Sequence, residues 1–152
     1  SLDKLDEAID QTLNPTHLLM SKAMARKLTT AARTPSVSGY ITYTVDAFGR
    51  RVMMYNNLPI LTVDLDNTGT SILPFTEASS AGAATSTSIY IVSMGDDGLV
   101  GLENGGMSVR DLGELQSAPV FRTRVEWYNV IAIFNGRAVT RLWSIGDLAV
   151  AA

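Results

Sequence analysis

Apolar and polar side chains alternate over an extended stretch near the end of the chain, RTRVEWYNVIAIFNGRAVTRLWSI, residues 122–145. Arg122, Arg124, Glu126 and Tyr128 fall on one side, and Thr123, Val125, Trp127, Asn129, Ile131 and Ile133 on the other, the period of two of a half-buried strand. Asn135-Gly136 then supplies residues that tolerate positive φ, and Ala138, Val139, Leu142, Trp143 and Ile145 resume an apolar run. The pattern predicts a β-hairpin carrying both tryptophans. Nothing in it has the character of a catalyst, so its expected role is architectural.

The start of the chain has a different period. Leu2, Leu5, Ala8 and Ile9 fall at helical spacing, with Asp3, Asp6 and Glu7 in the early turns where a helix dipole favours acids. Asn14-Pro15 ends that helix. Thr16–Met20 reads as a short buried strand, and Ser21 as the N-cap of a second helix reaching about Ala32. Met20, Met24 and Leu28 form its inward stripe, read as core rather than a binding groove, while Lys22, Arg26 and Lys27 face solvent.

Thr34–Gly39 reads as loop, followed by a strand at Ile41, Tyr43 and Val45, a turn at Asp46–Gly49, a strand at Arg51–Tyr55, a tight Asn56-Asn57 turn and a strand at Leu58–Val63. Pro59 lacks an N–H, so it belongs on an edge strand or at a strand's start. Thr76–Ser88 is Ala, Ser, Thr and Gly with almost no bulk, and is expected to be a surface loop ordered by a partner. Strands at Ser88–Met94, Leu99–Leu102 and Met107–Asp111, separated by glycine-rich turns, predict a small meander, and Leu112–Pro119 a connector. Helix, strand, helix and then strands point to an α+β fold, its helices packed on a mixed, largely antiparallel sheet, in one domain spanning 1–152.

Composition narrows the chemistry. With 46% hydrophobic and 18% charged residues the chain is globular, and a net charge of -3 does not mark it as a polyanion binder. The late arginines stand beside Asp111, Glu114 and Glu126, as on a solvated strand face, and no specific nucleic-acid site is expected. Without cysteine there are no disulfides, thiolate metal sites or cysteine nucleophiles. His17 is the only histidine, so zinc sites built from several histidines are excluded; it reads as a hydrogen-bonded structural residue. No apolar run approaches the ~20 residues of a membrane span.

The one enzyme-like motif is ILTVDLDNTG, residues 60–69, an apolar strand running into Asp-x-Asp-Asn-Thr. It resembles the first motif of haloacid-dehalogenase-type phosphohydrolases, which would make Asp64 a nucleophile, Asp66 a general acid/base and both ligands of Mg²⁺; IYIVSMGDD, residues 89–97, resembles their last acidic motif. The remaining parts do not fit. Lys4, Lys22 and Lys27 all precede Asp64, and the spacer lacks βα crossovers. As a calcium loop the stretch fails at Phe75, where a bidentate carboxylate belongs. The reading preferred is two acidic turns at strand ends, with no catalytic residue, metal site or cofactor.

A family resemblance then covers Leu2 to Ile145. LDKLDEAID, THLLM and SKAMARKL, a strand and turn of aromatic-x-Asn-apolar-Pro-apolar type at Tyr55, Asn57, Leu58, Pro59 and Ile60, and the closing RTRVEWYNVIAIFNGRAVTRLWSI together resemble the C-terminal, axial-domain portion of tailed-bacteriophage major capsid proteins. Asn57 stands where that family usually has Gly. The resemblance implies a structural, non-enzymatic subunit of a phage or prophage icosahedral capsid that self-assembles into pentamers and hexamers enclosing DNA. Scaffolding and portal proteins would be its other partners. It implies residence in the virion, with the host bacterial cytoplasm before assembly, and no membrane. It also implies that a family N-terminal arm, extended loop and spine helix would precede Ser1. An encapsulin-like shell is an alternative of related fold.

Overall fold

In a computed structural model, residues 2–33, 39–82 and 84–147 are described. The elements are α1 (Leu2–Gln11), β1 (His17–Ser21), α2 (Lys22–Ala31), β2 (Ile41–Val45), β3 (Arg51–Tyr55), β4 (Leu58–Val63), β5 (Glu77–Ala78) and β6 (Ala84–Val92). They continue with β7 (Leu99–Glu103), β8 (Ser108–Glu114), β9 (Phe121–Glu126), β10 (Asn129–Ile133) and β11 (Val139–Gly146). The loop expected at Thr34–Gly39 falls, over residues 34–38, outside the described residues.

Both helices form where periodicity placed them. α1 buries Leu2, Leu5, Ala8 and Ile9. The Ser21 hydroxyl accepts from the Met24 N–H at 3.2 Å, satisfying one of the orphan donors at the start of α2, which buries Met24, Ala25, Leu28 and Ala31. The turn between β3 and β4 is built on Asn56 and Asn57 at φ 47 and 61, the left-handed pair that matches strand twist in a two-residue hairpin.

The main sheet has seven strands in the order β11-β6-β1-β4-β3-β2, with β5 also pairing β6. β1 and β4 run parallel and every other pair is antiparallel. Pro59 lies at the start of interior strand β4, ahead of the β1 ladder that begins at Leu18↔Ile60. Ile60, Leu18 and Ile91 stand abreast on three neighbouring strands, so they line one face. With Met20, Ile89, Tyr55, Ile41 and the inner sides of both helices they make a single core. Thr12 ties α1 to β11, its hydroxyl donating to Thr140 Oγ1 at 2.8 Å.

Three expectations are corrected here. The fold is mostly β, 47% strand and 14% helix around a mixed sheet, and is not the α+β arrangement expected. The difference comes from segments read as loop, turn or connector that are strand. Chief among these is Thr76–Ser88: Glu77–Ala78 is β5, and Ser86, Thr87 and Ser88 are among the most buried residues of the chain. Their hydroxyls make burial tolerable, since Ser86 donates to the Glu77 carbonyl at 2.8 Å and Ser88 to the Glu77 carboxylate, which also takes Arg141 at 3.0 Å.

The second correction concerns residues 122–145, which form no hairpin. The long strand breaks at Trp127-Tyr128; β9 pairs with β8, β10 with β7, and β11 crosses to β6. Asn135 does make a turn, accepting from the Arg137 N–H at 2.9 Å through its side chain and from the Ala138 N–H at 3.0 Å, and it redirects the chain into the main sheet. The third is the meander, because β6, β7 and β8 find partners elsewhere: β7–β10 and β8–β9 are separate two-stranded ribbons.

Candidate functional site

Asp64 and Asp66 follow β4 directly. Lys22 at the start of α2 donates to Asp64, and this bond, ahead of one from the Leu65 backbone N–H, holds the carboxyl below the usual carboxylate range. Asp66 Oδ1 accepts from the Thr68 hydroxyl at 2.7 Å and from the Thr68 and Thr70 N–H groups at 2.8 Å each; the hydroxyl is the main cause of its lowered pKa. Asp66 thus closes its own turn.

Asp96 and Asp97 lie at the opposite end of the sheet. Val63, before Asp64, is abreast of Ser21, whereas Val92, before Asp96, is abreast of His17, so the length of β1, roughly 13 Å at 3.3 Å per residue, separates the two loops. Among the described residues no three His, Asp or Glu side chains come together in a way that could hold a metal ion. His17 Nδ1 is 3.0 Å from Thr16 Oγ1.

The feature that remains unaccounted for by folding is the pair of ribbons. In β7–β10, Val130 lies opposite Leu102 and Ala132 opposite Val100 on one face, and Ile133 opposite Leu99 and Ile131 opposite Gly101 on the other. Apart from the Asn129–Glu103 pair on the second face, both faces are apolar, yet Ile131 is 73% exposed and Val130 60%. Trp127, at the junction of the ribbons, donates through Nε1 to Glu103 at 3.3 Å and lines, with Leu102, Val130 and Ile131, an open groove of about 410 Å³ along this ribbon.

In β8–β9 the two faces differ. Val109 opposes Val125 and Asp111 opposes Thr123 on one face, while Arg110 opposes Arg124 and Ser108 opposes Glu126 on the other, which Arg122 extends. Phe121 is 77% exposed. A two-stranded ribbon is marginal in water by itself, and large bare apolar patches on a monomer mark sites of association.

Sequence alternation groups these residues by face but predicts a half-buried strand, whereas Val125, Trp127, Ile131 and Ile133 on its apolar side are each more than half exposed, and it does not give the strand partners. The Glu77–Ser88–Arg141 network, in which Ser88 is buried and Arg141 exposed, has no motif that announces it. Its one sequence signal is Thr85 and Thr87 leading in step into Ile89 and Ile91, with β-branched residues at alternate positions. Compared with known proteins, the chain matches no family model and no curated protein. Among the described residues no helix is long and apolar enough to cross a membrane.

Proposed function

We propose that the chain is a structural subunit of a closed protein shell of the bacteriophage or prophage capsid type, made by association of identical copies into pentamers and hexamers around DNA. The supporting observation is its surface. A compact monomer of 16.3 kDa is expected to expose roughly 7,500 Å², whereas this chain exposes 10243 Å². The excess, about 2,700 Å² on one chain, is larger than the roughly 800 Å² that each partner contributes to a standard interface. Much of what is bare is apolar and lies on the ribbons: Phe121, Val125, Val130, Ile131, Ile133 and Phe134 are each more than half exposed. Repeated contacts through such faces suit a symmetric assembly.

Electron microscopy and sedimentation of the purified intact gene product test the proposal. Rings or shells are the expected result, and dispersed monomers under every assembly condition would overturn it. An encapsulin-like shell would look similar empty, and is separated by its content, a packaged protein in place of DNA.

A further inference from the structure

We propose that the arginine face of the β8–β9 ribbon docks on the acidic outer stripe of α1 in a second copy of the chain. This deepens the self-assembly reading and rests on it. On the ribbon, Arg110 and Arg124 are directly opposite one another, an arrangement of like charges that is unfavourable unless anions stand nearby, and Arg122 is two residues along the same face. Among the described residues of that face Glu126, paired with Arg124, is the one acid that offsets them. On α1, Asp3, Asp6, Glu7 and Asp10 recur at spacings of three and four, which places them on one side of a helix whose opposite side is buried. Asp3, Glu7 and Asp10 are exposed. Lys4 neutralises Glu7, and Asp6 accepts a bond from Tyr55.

The two faces match in sign and in reach. From Asp3 to Asp10 the helix advances about 10 Å. Arg122 and Arg124 stand about 7 Å apart along their strand, with Arg110 across from Arg124 at about 5 Å. Among the described residues no ion pair joins the two faces within one chain. A contact between two different patches is head-to-tail, and such contacts close into rings when the rotation allows. Opposite charges at its rim would steer encounter and fix orientation, while the apolar ribbon faces supply buried area.

The test uses the full chain and two charge-reversed variants, Arg122→Glu with Arg124→Glu, and Glu7→Lys with Asp10→Lys. The second pair avoids the first helical turn, where acids favour the dipole. Sedimentation equilibrium in ~0.1 M salt, where screening acts over about 10 Å, reads the association constant. Each variant alone is expected to associate about tenfold or more weakly than the unaltered chain, and an equimolar mixture of the two to recover. Recovery also shows that both variants are folded. Variants that associate like the unaltered chain would overturn this docking and leave self-assembly standing. Weakened variants that fail to recover on mixing would likewise reject the pairing of these two faces. An unaltered chain that stays monomeric at all concentrations would reject both proposals. Loss of DNA binding in the arginine variant, with self-association unchanged, would assign the arginines to nucleic acid and reject the docking.

Discussion

Tyr55→Phe removes a single oxygen at the point where α1 is fastened to the sheet. The Tyr55 side chain is fully buried at the end of β3, and its hydroxyl donates to Asp6 Oδ1 at 2.8 Å. The phenyl ring can keep the same packing, so the change isolates one hydrogen bond to a carboxylate. Bonds to charged groups contribute about 1.5–3 kcal/mol net. Asp6 is only half-buried and regains water, so a loss near the lower end, about 1–2 kcal/mol, is expected. At about 2–4 °C per kcal/mol for a chain of this size, the thermal midpoint should fall by roughly 2–8 °C.

The same bond predicts a pH dependence. Burial first, and then the bond to Asp6, pushes the Tyr55 hydroxyl well above the usual tyrosine range. A group whose pKa is raised on folding contributes its full stability below its unfolded value, about 10, and loses it as pH rises from there towards the folded value. Urea titrations of the two proteins at pH 7 and at steps from pH 9 to pH 11.5 measure both effects. The gap between them is expected to narrow above about pH 10, because only the unaltered chain carries this titration. Equal stability at pH 7, or parallel alkaline slopes, would refute the reasoning.

Other substitutions probe separate parts of the structure. Gly98→Ala places a Cβ 2.2 Å from the Ser93 carbonyl oxygen, a backbone atom that cannot swing aside; a loss of about 1–3 kcal/mol is expected, with faster hydrogen exchange at the Phe134 N–H, which bonds Gly98. Ser21→Ala deletes the α2 cap and should cost about 1 kcal/mol in a denaturant titration. Leu18→Ala opens a cavity in the core and should cost about 2–5 kcal/mol, lowering the midpoint without changing the denaturant slope. Asp64→Asn breaks an exposed pair with Lys22, and its thermal midpoint should match that of the unaltered chain. A phosphatase assay on the same variant should show no Asp64-dependent turnover.

The helices, strands and turns described among the first sixty residues were legible because their signals are local. α1, the Ser21 cap, α2 and the β3–β4 turn each depend on residues within a few positions of one another, and the two asparagines adopt the conformation that their chemistry favours. The Asp64 and Asp66 turns were also legible as turns, since Asp66 is satisfied by Thr68 and Thr70 close by in sequence.

From residue 76 onward the deciding contacts are distant in sequence. Period two tells which side chains share a face and says nothing of which strand lies alongside. RTRVEWYNVIAI therefore read as one strand, although its halves pair with segments ending and beginning on either side of residues 104–107. Ser86, Thr87 and Ser88 read as loop because hydroxyl groups resist burial, and only the arrival of Glu77 and Leu73 carbonyls and the Glu77 carboxylate satisfies them. What the sequence determined alone was the place of both helices, the Ser21 cap and the Asn56-Asn57 turn, along with the alternation of its strands. The tertiary structure decided strand partners, the burial of small polar residues and the exposure of two apolar ribbons, because those depend on groups that only folding brings within bonding distance.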